Sequence, residues 1–352
     1  MALFKIPSVR IAGIASAVPK YAESNFDYSW LTQQERELLV KTTGVEFRRI
    51  AKEGITTSDL CIESAQKLIA ELNWNKNDIE VLVFVSQSRD YILPATSVIL
   101  QDRLGLPKSC LALDVGLGCS GYVYGLSTIA AQISAAGLKK GLLLVGDIST
   151  ASLNFKDKST YPLFGDSGTA TALERNEQAA NMVFNLQSDG EGYQSIIIRA
   201  GGLREPFSDS SFREDQIDKG VVRRRMDLEL NGLDVFNFSL REVPTNVSRL
   251  LEYCGLDVDK IDQFVFHQAN LLMNETIRKK LKISPDKYPY SINEFGNTSS
   301  ASIPLTCTTR LSDQLQFGKS KLIFSGFGVG LSWGSVFVET ENICCPDLIE
   351  VP

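Results

Sequence analysis

The sequence predicts an α/β fold with buried, largely parallel strands, because runs rich in Val, Ile, Leu and Phe alternate with amphipathic helical stretches along the chain. A second observation is an internal repeat. Residues 74–84 line up with residues 256–266, each following an amphipathic stretch. At nearly the same offset, residues 140–146 answer residues 320–326, both apolar runs ending in glycine. Two concordant offsets divide the chain into residues 1–176 and 177–352, with the boundary in the polar stretch 174–181. At 352 residues, each half is large enough to bury its own core.

Taken in order, residues 9–18 read as a first strand. The opening twenty residues do not read as a signal peptide, because Arg10 interrupts the apolar run. No apolar stretch approaches the roughly 20 residues needed to cross a bilayer, so a protein not integral to a membrane is expected. Net charge is -6, which argues against general nucleic-acid binding, since phosphate contacts need a basic surface. The seven cysteines lack CxxC spacings, which points to the reducing cytoplasm rather than to a disulfide framework or zinc.

The chain holds one histidine, so multi-histidine metal sites are excluded and any histidine-dependent proton transfer falls on His267. It directly follows an apolar strand, where ligand sites of open α/β sheets gather. Cys119 stands between a strand and a helical stretch, flanked by Gly116, Gly118 and Gly121. A thiol at a helix N-terminus feels the positive end of the helix dipole, which lowers its pKa, and the glycines leave backbone N–H groups free to hold an oxyanion. Of the other cysteines, Cys61, Cys254 and Cys307 fall in helical patterns, Cys110 precedes a strand, and Cys344 and Cys345 lie in the tail. Asn297 precedes a run of small residues opening another helix. It can cap that helix, or its amide can donate to a substrate carbonyl. Gly326, Gly328 and Gly330 follow a late strand and offer a second backbone donor.

In this order GCSG (118–121), HQAN (267–270), GNTSSAS (296–302) and GFGVGLSWGS (326–335), supported by TTGVEFRRI (42–50) and LFGDSGTATAL (163–173), resemble the β-ketoacyl-acyl-carrier-protein synthase III family. The likeness runs from about Val9 to Val338. It implies a thiolase-like five-layer αβαβα fold of two pseudo-duplicated halves, and usually a homodimer. It makes Cys119 the nucleophile that accepts an acyl group from an acyl-CoA or acyl-carrier-protein thioester, with no metal or redox cofactor. A malonyl thioester on acyl carrier protein then loses carbon dioxide. His267 and Asn297 would donate to its thioester oxygen, and the backbone amides of Cys119 and Gly330 would hold the second oxyanion. Leu93 aligns with a residue reaching the partner's acyl pocket. Arg278, Lys279 and Lys280 resemble the family's docking surface for acidic carrier protein, and residues 223–225 form a second basic run.

The chain also departs from the family. Leu38 and Thr42 stand where a Trp and an Arg usually sandwich adenine, Leu233 stands for an asparagine that contacts pantetheine, and Leu271 and Leu272 follow HQAN. These changes point to a primer other than acetyl-CoA. The last glycine loop lacks the second cysteine of a degradative thiolase, and Gln87 aligns with the glutamate base of hydroxymethylglutaryl-CoA synthases. Plant-type polyketide synthases have GFGPG where this chain has GFGVG. Two alternatives stay open: a specialised-pathway acyltransferase or polyketide-type synthase with a non-acetyl primer, and a cysteine hydrolase. The hydrolase reading rests on the Cys119–His267 spacing, which falls in the papain-like range, although the papain-type cysteine signature is missing.

Overall fold

The computed structural model describes residues 2–352, and in it the apolar runs become two central sheets. In chain order the strands are β1 (Ala2–Ile6), β2 (Val9–Pro19), β3 (Ile79–Val85), β4 (Leu111–Val115), β5 (Lys140–Asp147), β6 (Ser167–Arg175), β7 (Met182–Ser188), β8 (Gln263–Phe266), β9 (Lys319–Gly328), β10 (Ser332–Glu341) and β11 (Ile349–Val351). The helices that matter below are α1 (Gln33–Thr43), α2 (Thr57–Glu71), α3 (Thr96–Arg103), α4 (Gly121–Ala136), α5 (Gly232–Cys254), α6 (Leu271–Lys280) and α7 (Ser302–Arg310).

The first sheet has the order β11-β2-β6-β5-β3-β4 and the second β1-β7-β10-β9-β8. In the first, β3 runs parallel to β5, and β5, β6 and β2 then alternate in direction. In the second, β8 runs parallel to β9, and β9, β10 and β7 alternate in the same way. The strand pairs aligned in sequence, β3 with β8 and β5 with β9, therefore occupy matching places. Both sheets are mixed, which corrects the expectation of largely parallel strands. Only a short turn separates β9 from β10, and a parallel neighbour would need a crossover of a dozen or more residues. The halves also exchange their ends: β1 pairs with β7 in the second sheet, and β11 with β2 in the first.

Helices α4 and α7 lie between the sheets, α2 and α3 cover the outer face of the first, and α5 and α6 cover the second, giving five layers αβαβα. Because α4 faces a sheet on both sides it is apolar all round. Tyr122, Val123, Leu126, Ile129 and Ile133 are fully buried, each burial contributing about 1.5–3 kcal/mol for an aliphatic side chain. Gly125 lets α4 seat closely, since a Cβ there would meet the side chains of Val85 and Leu143 at 2.6 and 2.8 Å. The main core cluster gathers around this helix, joining Val81, Val83 and Leu143 of one sheet to Phe324 and Val336 of the other. Helix α2 opens on a capping box formed by Thr56 and Asp59. Among the described residues no helix is long and apolar enough to cross a membrane.

Candidate active site

The two middle helices start at the same place, above the carboxyl ends of the parallel strand pairs, and a cavity of about 260 Å³ opens there. Cys119, His267 and Asn297 all line it. Cys119 sits on the loop from β4 into α4. His267 is the first residue after β8, held by its backbone N–H to Ser325 O at 2.8 Å. Asn297 precedes the tight turn into α7 and is fixed by N–H to Leu163 O at 2.8 Å.

Each side chain is oriented by a defined partner. His267 is buried, and its Nδ1 lies 3.1 Å from Ser299 O and 2.8 Å from Ser302 Oγ. A carbonyl only accepts, so Nδ1 carries the proton in this arrangement and Nε2 presents a lone pair. Burial lowers the imidazole pKa to about 4, so the ring is neutral at neutral pH. Asn297 Oδ1 accepts from Ser299 N–H at 2.9 Å, which fixes the amide, while its Nδ2 reaches Ala269 O only at 3.5 Å and keeps donor capacity.

The thiol differs from expectation. Burial pushes Cys119 up to about 11, although the Val329 and Cys119 backbone amides and the Ser299 hydroxyl pull it down. The buried carboxylate of Asp147 pushes the same way as burial. Desolvation therefore outweighs the favourable helix terminus, and the resting group is a thiol.

The glycine loop also needs a correction. It is Val329, not Gly330, whose backbone N–H reaches the thiol, and Val329 with Phe327 and Gly328 lines the cavity while Gly330 does not. Gly330 lies in the turn against Ser332. Gly328 makes the approach possible: its φ is +154°, and a Cβ there would meet Cys119 Sγ at 2.9 Å.

The basic cluster is partly consumed. Arg278 donates to Glu275 through Nε and Nη2, both at 2.8 Å, and to Ile283 O at 2.6 Å, so it is a structural ion pair rather than a free docking charge. Lys280 reaches Leu240 O at 2.9 Å, and Lys279 remains exposed. In the second run Arg223, Arg224 and Arg225 pair with Asp157, Asp227 and Glu205. Leu93 is 84 % exposed on the outside. Leu38, Leu233 and Leu272 are also exposed, and Leu271 packs beneath the end of α1 at Gly44.

Three residues of the site escaped the sequence reading. Val329 was hidden by its glycine neighbours. Ser302 looked like one more small residue opening a helix. Asp147 ends an apolar strand with a charge, a signal that could have been read. It is buried, and its Oδ1 accepts from Ser86 Oγ, Gln87 N and Ser88 Oγ at 3.0, 2.7 and 3.0 Å.

Comparison with known proteins identifies the family and the fold. Residues 113–190 match the 3-oxoacyl-[acyl-carrier-protein] synthase III family and residues 251–340 match its C-terminal region. The chain is similar to the β-ketoacyl-[acyl-carrier-protein] synthase III of Clostridioides difficile (strain 630), 33% identical over 334 residues, covering 94% of this chain and 97% of that one. The crystal structure of a 3-oxoacyl-(acyl-carrier protein) synthase from Burkholderia xenovorans LB400 superimposes with a TM-score of 0.94 at 40% identity over 99% of both chains. A synthase III from Pseudomonas aeruginosa PAO1 does so with a TM-score of 0.82 at 26% identity, over 96% of this chain and 99% of that one.

Proposed function

The chain belongs to the 3-oxoacyl-acyl-carrier-protein synthase III family of thiolase-fold condensing acyltransferases, and on that premise we propose that Cys119 carries the acyl group which a malonyl thioester then extends. The observation that carries the reading is that Cys119, His267, Asn297 and Val329 all line one cavity, with His267 Nδ1 and Asn297 Oδ1 held by Ser299 and Ser302 so that Nε2 and the Asn297 amide remain available.

In the first half-reaction His267 Nε2 takes the thiol proton as Sγ attacks the thioester carbonyl. The Cys119 and Val329 amides hold the oxyanion, a term of about 3 kcal/mol per donor in known cases. The bond from the carbonyl carbon to the donor sulfur breaks, and His267 returns the proton to the leaving thiolate. In the second half-reaction the malonyl carboxylate leaves as carbon dioxide, and its thioester oxygen becomes an enolate. The Asn297 amide donates to that oxygen. His267 joins it by moving its proton to Nε2, which Ser302 Oγ permits because a hydroxyl can donate to Nδ1 as well as accept from it. The enolate carbon attacks the acyl-Cys119 carbonyl, the S–C bond breaks, and the thiolate takes up a proton.

The substrates under this reading are an acyl-CoA or acyl-carrier-protein thioester and malonyl-acyl-carrier protein, and the product opens fatty-acid chain synthesis. Lys279 and Lys280 remain the carrier-protein contact to test. The site is the test of the whole reading: intact mass after incubation with acyl thioesters should show an acyl adduct on the protein but not on Cys119→Ala. Asn297→Ala should still load while the discharge of its adduct by malonyl-acyl-carrier protein falls 100-fold or more. Loss of the adduct only as free acid would establish a hydrolase instead.

A further inference from the structure

The cavity lining is of two unlike kinds. One is apolar, formed by Leu163, Phe164, Ile196, Leu230 and Val235. The other carries Gln87, Ser149, Ser152 and Asp147. Gln87, Ser149 and Ser152 line the cavity, and among the described residues their side chains make no hydrogen bond within the chain. Asp147 is 2% exposed, and its two oxygens are unequal. Oδ1 is surrounded by donors, whereas Oδ2 accepts from Ser300 Oγ at 3.3 Å, and the Ser299 hydroxyl also donates to the carboxylate. A carboxylate offers about four lone-pair sites across its two oxygens, so a donor arriving from the cavity can add to these bonds.

From these groups the geometry points to a primer whose acyl chain bears a hydrogen-bond donor, a hydroxyl or an ammonium, a few bonds from the thioester carbonyl, received by Asp147 Oδ2 and the Ser149 and Ser152 hydroxyls. The inference rests on Cys119 as the acyl acceptor and names what it accepts. Charge narrows the class further. The cavity is lined by no Lys or Arg, and Asp147 is its only carboxylate, so a carboxyl-bearing acyl group would meet repulsion without a counter-ion. Size narrows it again, since about 260 Å³ lies below the usual range for drug-sized ligands, about 300–1,000 Å³, and suits a short chain.

Loading exchanges one thioester for another: the Cys119 Sγ–carbon bond forms, the bond to the donor sulfur breaks, and the thiol proton leaves with the donor thiol. Its rate is read by quenched intact mass with butyryl-CoA, both enantiomers of 3-hydroxybutyryl-CoA, β-alanyl-CoA and succinyl-CoA. A site built to bond a substrate hydroxyl discriminates strongly against the analogue lacking it. One 3-hydroxybutyryl enantiomer or the β-alanyl group should therefore load at least tenfold faster than butyryl, and succinyl slowest. The Ser149→Leu, Ser152→Leu double variant removes two hydroxyls that hold nothing else in place, and should bring that ratio to about one or below while butyryl still loads. Asp147→Asn separates the two donors, costing an ammonium primer more than a hydroxyl one. Butyryl loading as fast as either polar primer, succinyl loading fastest, or a ratio unmoved by the serine double variant would overturn the polar lining's role while leaving acyl transfer intact. Failure of every thioester to load would instead overturn the acyl-transfer reading beneath it.

Discussion

At the scale of single residues the site is set by desolvation. His267 and Cys119 are both held uncharged by burial, the imidazole at about 4 and the thiol up to about 11. Neither is ionised in the resting enzyme, so the thiolate must form during attack rather than stand ready. Because thiolate is the reactive form, its fraction rises tenfold per pH unit below the pKa. The rate at which iodoacetamide labels Cys119, followed on its own peptide, should thus climb with unit slope from about pH 7 to 9. A plateau below pH 8 would mean that the helix terminus and the Val329 amide outweigh burial after all. Cys119, His267 and Asn297 were legible in the sequence because each is a rare chemical type in a recognisable local setting. Val329 and Ser302 were not. A backbone N–H carries no side-chain signature, and a serine that steers a ring nitrogen looks like any serine beside a helix start.

At the scale of elements the sequence showed which segments are strands and helices and that they repeat, since buried apolar runs and amphipathic periods are local patterns. It did not show the direction of each strand, because antiparallel pairing of β9 with β10 depends on a short turn, and the exchange of β1 and β11 between sheets depends on contacts far apart in sequence. The meeting of β9 with the start of α4 is what brings Val329 to the thiol, and Gly328 is the point of contact. Gly328→Ala would place a methyl 2.7 Å from Cys119 Cβ in a backbone conformation that alanine disfavours. Overpacking of this kind costs about 1–3 kcal/mol, and acyl loading should fall at least 100-fold, because the strain is relieved by moving the reacting sulfur or its amide donor. The control is Gly190→Ala, where an added Cβ meets nothing within 4 Å. Equal loading by the two variants would separate this contact from catalysis.

At the scale of the whole molecule, the chain presents an unfinished edge beside its nucleophile. The outer side of β4 has no strand partner among the described residues, and Leu111 on it is exposed. Nearby, Tyr91, Ile92, Leu93 and Val98 are exposed as well, in the segment that leads from β3 through α3. An unpaired strand edge flanked by apolar side chains invites association, and closed two-fold pairing is the commonest way a soluble chain satisfies one. A homodimer closed across β4 is therefore the expected state, with a sedimentation mass of about twice the 38.8 kDa chain. The consequence reaches the chemistry, because β4 runs straight into the loop that carries Cys119: an edge held by a second copy would hold that loop too. Charges introduced by Val98→Glu with Leu111→Lys should yield a monomer whose far-ultraviolet circular dichroism is unchanged but whose acyl loading falls at least tenfold. A monomer that loads at the full rate would show that one chain builds the site alone, and a dimer that survives both charges would place the interface on another face.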